Sequence, residues 1–465
     1  MLKRWSWAGV AALIFFISGC AVDQARDVRI YRDVLDADRS SPLVQFHPEG
    51  PLTLMDAMGL ANAQNEQLSM AGENYLQTLI DKDRAFAAFL PKIGFAPAFM
   101  FQGKTALAPG NPLIAEFVPE QATDMPVAGN MDLHPFRDVP ALQAAGSATQ
   151  MQQALLLDRR AILMLDVARA YFQVMNSEKQ VEVLRHSIQV ARQRFEDIQM
   201  KQKAGVARPV DVALTEAQLA KTRNMLIQAE DDVKNGRAML ALLIGVPEVK
   251  GPLTDGLTVP STGWRLEPLL KLADDNRQDL IAEHERVKVA TAALEAAWGE
   301  YFPTVSLNLT RYLSRQSFPS DVDWSSLIQV NVPIFSAGLI HADVRTAYSR
   351  LRQARLAEMY VERQMLKDLR TAVENLRGED QQIDQLGIQV KAAQEGMRQA
   401  DAAFDAGLGT NLERLIAQDA LLSAELTLST ARFNRNIDYL RLLRVAGVLN
   451  PELSVALPSA EKLFP

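Results

Sequence analysis

The second half of this chain repeats its first half, and this duplication constrains the fold more than any other feature of the sequence. Ala204-Gly205-Val206-Ala207 and Ala406-Gly407-Leu408-Gly409 lie 202 positions apart, each between two helical stretches. The same offset pairs apolar residues downstream of both turns: Leu219 with Leu421, Leu226 with Leu428, Leu240 with Leu442, and Gly245-Val246 with Gly447-Val448. Solenoid repeats are about 20–50 residues long, so this longer repeat predicts two duplicated halves of one pseudo-symmetric molecule.

Composition excludes several classes of function. The 465-residue chain has a net charge of −7 and no basic stripe, which argues against a nucleic-acid partner. Its five histidines are scattered and it has a single cysteine, so no metal-ligand spacing is present. No glycine-rich phosphate loop or nucleophile motif occurs either. The sequence therefore predicts a protein that is not an enzyme and that carries no metal and no cofactor.

The first residues have the pattern of a lipoprotein signal peptide. Lys3 and Arg4 precede a short apolar segment that ends in Ile17-Ser18-Gly19-Cys20. Small residues before the cleavage point and a thiol that accepts the lipid are what this processing needs, and Cys20 is the only cysteine of the chain. The pattern predicts lipidation at Cys20, and Ala21 at the next position favours the outer membrane over the inner one.

Long helices dominate both halves. Apolar residues at 3- and 4-residue spacing predict helices over about 54–89, 140–203 and 209–244, and again over about 266–302, 338–405 and 411–446. A helix of about 64 residues is close to 100 Å long, and such sustained spacing indicates coiled-coil packing.

Short alternating segments interrupt the helices of each half. Leu90-Pro91 and Phe302-Pro303 end helices, and strand pairs are expected over about 92–136 and 304–335. Alternation of apolar and polar residues over such lengths is typical of transmembrane barrel strands, although a soluble hairpin with one wet face has the same pattern. Four strands cannot close a barrel, and lipid does not tolerate open sheet edges. If the strands lie in a membrane, several protomers must share one barrel.

The order of these segments resembles the TolC-like outer-membrane efflux family, and most closely the NodT-type lipoproteins that serve resistance-nodulation-division pumps. Leu52-Thr53-Leu54, Leu90-Pro91, the segment 332–338 and the two glycine turns carry the resemblance, which covers about residues 50–450. It implies a mainly α fold with a small β part: a long coiled-coil barrel of helices and four strands per protomer, completing a 12-stranded transmembrane β-barrel in a homotrimer.

The resemblance also assigns roles near the two turns. The hairpin tips, at about 204–209 and 406–411, would contact the periplasmic adaptor of a tripartite pump through Ala204, Gly205, Val206, Ala406, Gly407, Leu408, Gly409 and Thr410. Candidate pore or gate acids are Asp211, Glu413 and Asp419. The family often has an arginine where this chain has Asn411 and an acid where it has Ile416, although Glu413 and Asp419 lie nearby and could substitute. The resemblance therefore does not specify how the closed state is locked.

These observations predict five regions. They are a signal peptide (1–19), a lipid-anchored extended leader (20–50), a first efflux repeat (51–250), a second efflux repeat (251–450) and a C-terminal tail (451–465).

The predicted function is a passive exit duct for small molecules through the outer membrane and periplasm, with an adaptor, an inner-membrane pump and outer-membrane lipid as partners. A type I protein secretion duct, a lipid-anchored coiled-coil scaffold or adaptor without a pore, and an envelope hydrolase remain alternatives.

Overall fold

The computed structural model describes residues 22–37, 46–101, 103, 121–254, 256–260 and 265–450. In this part of the chain the helices are α1 (Gln24–Asp36), α2 (Leu54–Gln64), α3 (Glu66–Ala87), α4 (Pro135–Lys203), α5 (Pro209–Ile244), α6 (Leu266–Asn276), α7 (Gln278–Gly299), α8 (Leu339–Asp405) and α9 (Asn411–Val445). The strands are β1 (Leu52–Thr53), β2 (Lys92–Phe95), β3 (Ala98–Phe101), β4 (Gln121–Asp124), β5 (Pro126–Leu133), β6 (Leu253–Thr254), β7 (Thr304–Tyr312) and β8 (Trp324–Asn331). The chain is therefore mainly helical with a small β part, as predicted.

The chain divides into two compact units. The first combines the chain up to Glu73 with Leu156–Gln278 and the chain from Glu362 onward, and the second combines Asn74–Leu155 with Asp279–Val361. Within the described residues, none of the helices has both the length and the apolarity that a membrane-spanning helix requires. The predicted lipidation site Cys20 and the predicted tail 451–465 lie outside the described residues.

The first unit contains both helical hairpins, α4 with α5 and α8 with α9. The two hairpins bury residues at equivalent positions of the repeat. For example, Val167 and its equivalent Leu369 are both fully buried. Gly245 and Gly447 end the returning helices with φ of 72° and 77°. A Cβ on Gly245 would lie 2.7 Å from Gln64 O, and one on Gly447 would lie 2.6 Å from the carbonyl carbon of Asn276. Each hairpin therefore packs its final glycine against the end of a short helix, α2 or α6.

A two-stranded parallel sheet that the sequence did not reveal also lies in the first unit. Leu52 of β1 pairs with Leu253 of β6. The hydroxyl of Tyr171 lies 2.6 Å from Leu52 O and accepts a hydrogen bond from Thr254 N at 2.9 Å. Strands of two residues are too short to leave a periodic pattern in a sequence.

The leader predicted to be extended contains α1, so that prediction was wrong for Gln24–Asp36. Asp23 caps the helix by accepting a hydrogen bond from Arg26 N, and Tyr31 and Leu35 are buried. The Tyr31 ring packs so close to Gly72 that a Cβ there would lie 2.4 Å from it. Arg160 donates a hydrogen bond to Leu35 O at 2.9 Å. These contacts with distant parts of the chain stabilise a segment whose composition alone favoured a linker.

The second unit contains an antiparallel sheet in the order β2-β5-β7-β8 and a separate pair, β3 with β4. The four predicted strands are all present, but the first is interrupted between β2 and β3 and the second between β4 and β5. Pro97 and Met125 lie at these interruptions. The unit also contains the strand-proximal parts of α3, α4, α7 and α8.

Candidate functional site

Both hairpin tips turn in the same way. Gly205 has φ of 78° and Gly407 has φ of 74°, a backbone conformation that glycine adopts without steric cost. Val206 N donates to Lys201 O and Leu408 N donates to Ala403 O, each at 2.9 Å. No atom lies within 4 Å of a Cβ built on either glycine. The turn itself therefore requires glycine, and the space beside it is open to a partner.

Two of the three predicted gate acids, Asp211 and Glu413, occupy equivalent positions and cap their own helices. Asp211 accepts hydrogen bonds from the backbone N of Arg208 at 3.2 Å and from its guanidinium at 3.0 Å. Glu413 accepts from Thr410 N at 2.8 Å, and Thr410 Oγ1 accepts from Glu413 N in return, which is a capping box. The hydrogen bond from the Arg208 side chain holds the pKa of Asp211 below its usual value. At the first tip the capping acid is therefore paired with a charged residue, Arg208, whereas at the second tip it is paired with an uncharged residue, Thr410.

The third predicted gate acid, Asp419, joins the two hairpins. Its carboxylate accepts hydrogen bonds from Lys221 Nζ at 2.7 Å and from Gln218 Nε2 at 3.1 Å, both on α5. The hydrogen bond from Lys221 is the main reason that the pKa of Asp419 is lowered.

Asn411, where the family often has arginine, is buried between the hairpins. Its Nδ2 donates to Asp211 O at 3.1 Å and to Thr215 Oγ1 at 2.9 Å, while its Oδ1 accepts from Arg414 Nη2 at 3.0 Å. The Arg414 guanidinium is also buried and lies 4.1 Å from the centre of the Phe404 ring. A buried positive charge therefore lies one turn beyond position 411 on α9.

A second arginine, Arg194 of α4, completes the connection. It donates to both carboxylate oxygens of Asp401, at 3.0 and 2.7 Å, and to Gln418 Oε1 at 2.6 Å. We call Arg194, Asp401, Asn411, Arg414 and Gln418 the inter-hairpin network. Sequence reasoning missed Arg194, Asp401, Arg414 and Gln418, because members more than 200 positions apart follow no local pattern and 194 has glycine, Gly396, at its equivalent position.

Exposed apolar side chains surround both tips. They recur every fourth residue, so each set lies on one side of its hairpin end. We call this set the apolar tip surface: Val206, Val210, Leu214, Leu408, Leu412 and Ile416. The second three are the repeat equivalents of the first three, and the least exposed of the six, Leu214, is 39% exposed. Ile416, which replaces a family acid, is thus part of a surface that both halves share.

In the second unit, one face of the four-stranded sheet is predominantly apolar, with Arg311 and Ser326 among its residues. Leu307 on β7 pairs with Met131 on one side and Ile328 on the other, and Val305 pairs with Leu133 and Val330. The intervening positions carry polar side chains, such as Asn308 opposite Asn130. We call the side with Leu307 the apolar sheet face. Its residues on β8 are more than half exposed, and β2 and β8 are the edge strands.

Within the described residues there is no group of three or more His, Cys, Asp or Glu side chains that could hold a metal ion.

Known proteins share this organisation. The chain is 20% identical over 445 residues to the outer membrane protein TolC of Escherichia coli, which covers 88% of this chain and 87% of that protein. It is 26% identical over 317 residues to the alkaline protease secretion protein AprF of Pseudomonas aeruginosa, covering 64% of this chain and 65% of that protein. Its fold matches the solved structure of the outer-membrane channel OprN with a TM-score of 0.73 at 18% identity, over 89% of this chain and 95% of that chain.

A family model described as outer membrane efflux protein matches residues 135–246 and 269–448. The matched segments include both helical hairpins, both tips and the last two strands of the sheet. They make up more than half of the sequence, and the chain belongs to the outer membrane efflux protein family.

Proposed function

We propose that this chain is the outer-membrane channel of a tripartite efflux system, a passive duct through which small molecules leave the cell. The observation that carries the proposal is the apolar sheet face, which extends over all four strands, while neither edge strand of this sheet has a second partner among the described residues. A surface of this kind is stable in lipid only when the edges are closed by other copies. Three copies would supply twelve strands, in agreement with the homotrimer that the family resemblance implies.

The hairpin tips are the proposed contact with a periplasmic adaptor. The predicted contact residues at 204–206 and 406–410 are continuous with the apolar tip surface, which has no partner within the described residues. Apolar side chains exposed at a helix end are a reason to expect a protein partner. An inner-membrane pump would supply the energy for export, because the sequence contains no recognisable motif for nucleotide hydrolysis.

The inter-hairpin network is proposed to stabilise the closed state. Burial makes its hydrogen bonds costly to lose, since a buried polar group without a partner is destabilising. Opening the periplasmic end requires the first and second hairpins to separate, and the contacts of Asn411, Arg194 and Asp419 across the hairpins must break for this to happen. Arg414 contributes by holding Asn411 in place. Asp211 and Glu413 act indirectly, by fixing the first turns of α5 and α9.

Lipidation at Cys20 is the proposed second attachment to the membrane. Cys20→Ser is expected to abolish incorporation of labelled palmitate while leaving drug efflux partly intact, because the sheet would keep the protein in the membrane without the lipid.

Single-channel recording in a planar bilayer tests the duct directly. Purified trimer should conduct, and Arg414→Met or Asp419→Asn should raise its conductance. Folded trimer that does not conduct, even with these substitutions, would leave only a scaffold without a pore. Replacing Gly205 and Gly407 by leucine should abolish drug efflux in cells and leave membrane insertion unchanged, and normal drug resistance in that variant would contradict the docking role of the tips.

A protein secretion duct is the second candidate, and the similarity to AprF favours it. The two functions differ in cargo size. Deletion of the gene should sensitise cells to small toxic compounds if the chain serves efflux, and should retain a secreted protein inside the cell if it serves secretion.

A further inference from the structure

The four helices of the second unit follow the same order as the strands. Thr149 of α4 donates a hydrogen bond to Thr78 O of α3. The start of α4 contacts the end of α7, because a Cβ on Gly299 would lie 2.2 Å from Phe136 O. Leu294 of α7 packs among Val344, Ala347 and Leu351 of α8. The order is therefore α3, α4, α7, α8, with α3 at the edge that leads into β2 and α8 at the edge that follows β8.

The outer side of α8 is basic. Val344, Ala347 and Leu351 face α7, so the side of the helix that is turned away from α7 includes residues about 105–170° from their mean direction, at 100° per residue. We call them the α8 edge face: Arg345, Ser349, Arg352 and Leu356. Neither guanidinium has an ion-pair partner among the described residues, and the face contains no acid.

The outer side of α3 is polar and carries an acid. Tyr75 and Leu76 are buried, and the residues on the other side of the helix form the α3 edge face: Asn74, Gln77, Asp81 and Arg84. Among the described residues, Asp81 pairs only with Arg84 of its own helix, at 2.7 Å, and both side chains are more than half exposed. Such an exposed pair is weak and leaves the carboxylate available to a second cation.

The acid of one edge lies at the height of the arginine on the other. Thr78 is level with Thr149, which places Asp81 about 15 Å from the level of Phe136 at 1.5 Å per residue. Gly299 is level with Phe136, and Leu294 is level with the middle of its contacts on α8, at Ala347. Leu294 is five residues from Gly299, and Arg352 is five residues beyond Ala347. At 1.5 Å per residue, Arg352 therefore lies about 15 Å from the level of Phe136. A copy related by rotation about an axis along the helices would bring these two heights together.

We propose that the α8 edge face of one protomer docks against the α3 edge face of a second copy of this chain, with Arg352 paired to Asp81 of the partner subunit. This inference rests on the proposed function, which requires copies to close the sheet edges. It continues that contact from the strands to the helices of the same unit. Because the two side chains are exposed before assembly, the pair sets the alignment of neighbouring protomers more than their affinity.

Cysteine cross-linking tests the contact. One chain carries Asp81→Cys, a second chain with a different tag carries Arg352→Cys, and the two are co-expressed and oxidised. Any disulfide between the tagged chains is then intermolecular. We expect a covalent dimer of the two tags, and covalent trimer from a chain that carries both substitutions. Each single variant alone controls for Cys20, the only native cysteine. Arg350→Cys is the matched control, because Arg350 lies on the same helix but lines the groove between α7 and α8.

Charge reversal gives a second measurement. Asp81→Arg or Arg352→Asp should lower the population of trimer after dilution in detergent by about two- to five-fold per pair, and the double reversal should restore it. Trimeric protein that forms no cross-link from Asp81→Cys to Arg352→Cys or to Ser349→Cys overturns the inference and leaves the duct intact. A native mass of one protomer in the unsubstituted protein overturns both the contact and the proposed assembly.

Discussion

Arg414 places a buried positive charge one turn beyond Asn411 on α9. Asn411 uses both its donor and its acceptor, one toward the first hairpin and one toward Arg414. The Phe404 ring supports the guanidinium from one side. A short amide at 411 thus leaves room for the longer side chain that follows one turn later.

Arg414→Met is expected to increase the conductance of the purified trimer. The change keeps much of the side-chain volume but leaves Asn411 Oδ1 without its donor, and a buried unsatisfied acceptor costs about 1–3 kcal/mol. Single-channel recording measures the effect. Arg192→Met is the control, because Arg192 is exposed and pairs only with Glu196 on its own helix. Equal conductance of the two variants would contradict a role for the network in closure.

At the scale of the elements, glycine is needed at the helix ends for two different reasons, backbone conformation and close packing. Gly205 and Gly245 have almost the same backbone conformation, but only Gly245 is in close contact with another element. Gly205→Ala should therefore destabilise the protein by about 1–2 kcal/mol through backbone strain alone. Gly245→Ala should cost more, since its Cβ also meets the backbone of Gln64. Thermal unfolding of the two variants tests this, and equal midpoints would contradict it.

A second difference between the hairpins lies in their cores. The second hairpin has Glu379 on α8 and Asp438 on α9, where the first has Ser177 and Gly236. Burial, and then the charge of Asp438, raise the pKa of Glu379. Burial also raises the pKa of Asp438, although Arg441 pairs with it, so both carboxyls of this pair take up protons at a higher pH than they would in an unfolded chain.

Glu379→Gln should stabilise the protein at pH 8 and not at pH 4. A raised folded-state pKa means that the stability linked to this group is present below the ordinary glutamate pKa and is lost as pH rises through the raised value. Glutamine mimics the protonated form at every pH. Unfolding midpoints at the two pH values measure the effect, with Glu374→Gln, an exposed acid on the same helix, as control. A gain that is equal at both pH values would indicate a cause other than titration.

Sequence patterns predicted these elements well where the deciding interactions are local. Gly205 and Gly407 marked the turns between long helices, and alternation identified the four strands and their apolar side. The predicted helices 54–89 and 266–302 were wrong in one respect, because each is divided into two helices, and α4 begins at Pro135 instead of Pro140. The docking of α1 depends on Gly72 and Arg160, and the inter-hairpin network depends on partners such as Arg194 and Asp401. Such contacts join parts of the chain with no fixed spacing, so a single sequence contains no signal for them.

At the scale of the whole molecule, the proposed membrane attachment depends on one face of a sheet. Neighbouring residues of β7 lie on opposite sides of that sheet, which gives a matched pair of positions. Leu307 belongs to the apolar sheet face and Asn308 to the polar side.

Leu307→Lys is expected to prevent stable insertion, because a lysine on the lipid side near the bilayer midplane costs about 2–4 kcal/mol. Asn308→Lys should insert normally, since its side chain faces away from lipid. Extraction of membranes with sodium carbonate distinguishes the two: the first variant should appear in the soluble fraction and the second should stay with the membrane. If both variants appeared in the soluble fraction, a lysine on either side of β7 would prevent insertion, and the side of the sheet would not be the deciding factor.

The contacts of Gly245 with Gln64 and of Gly447 with Asn276 also bear on how the gene arose. Each half of the sequence supplies both sides of its own contact, so a half-length ancestor could form it before any duplication took place. Such an ancestor would close the same ring with six identical chains. Joining two copies in one polypeptide would free each half to change independently, and the caps at Arg208 and Thr410 do differ between the halves.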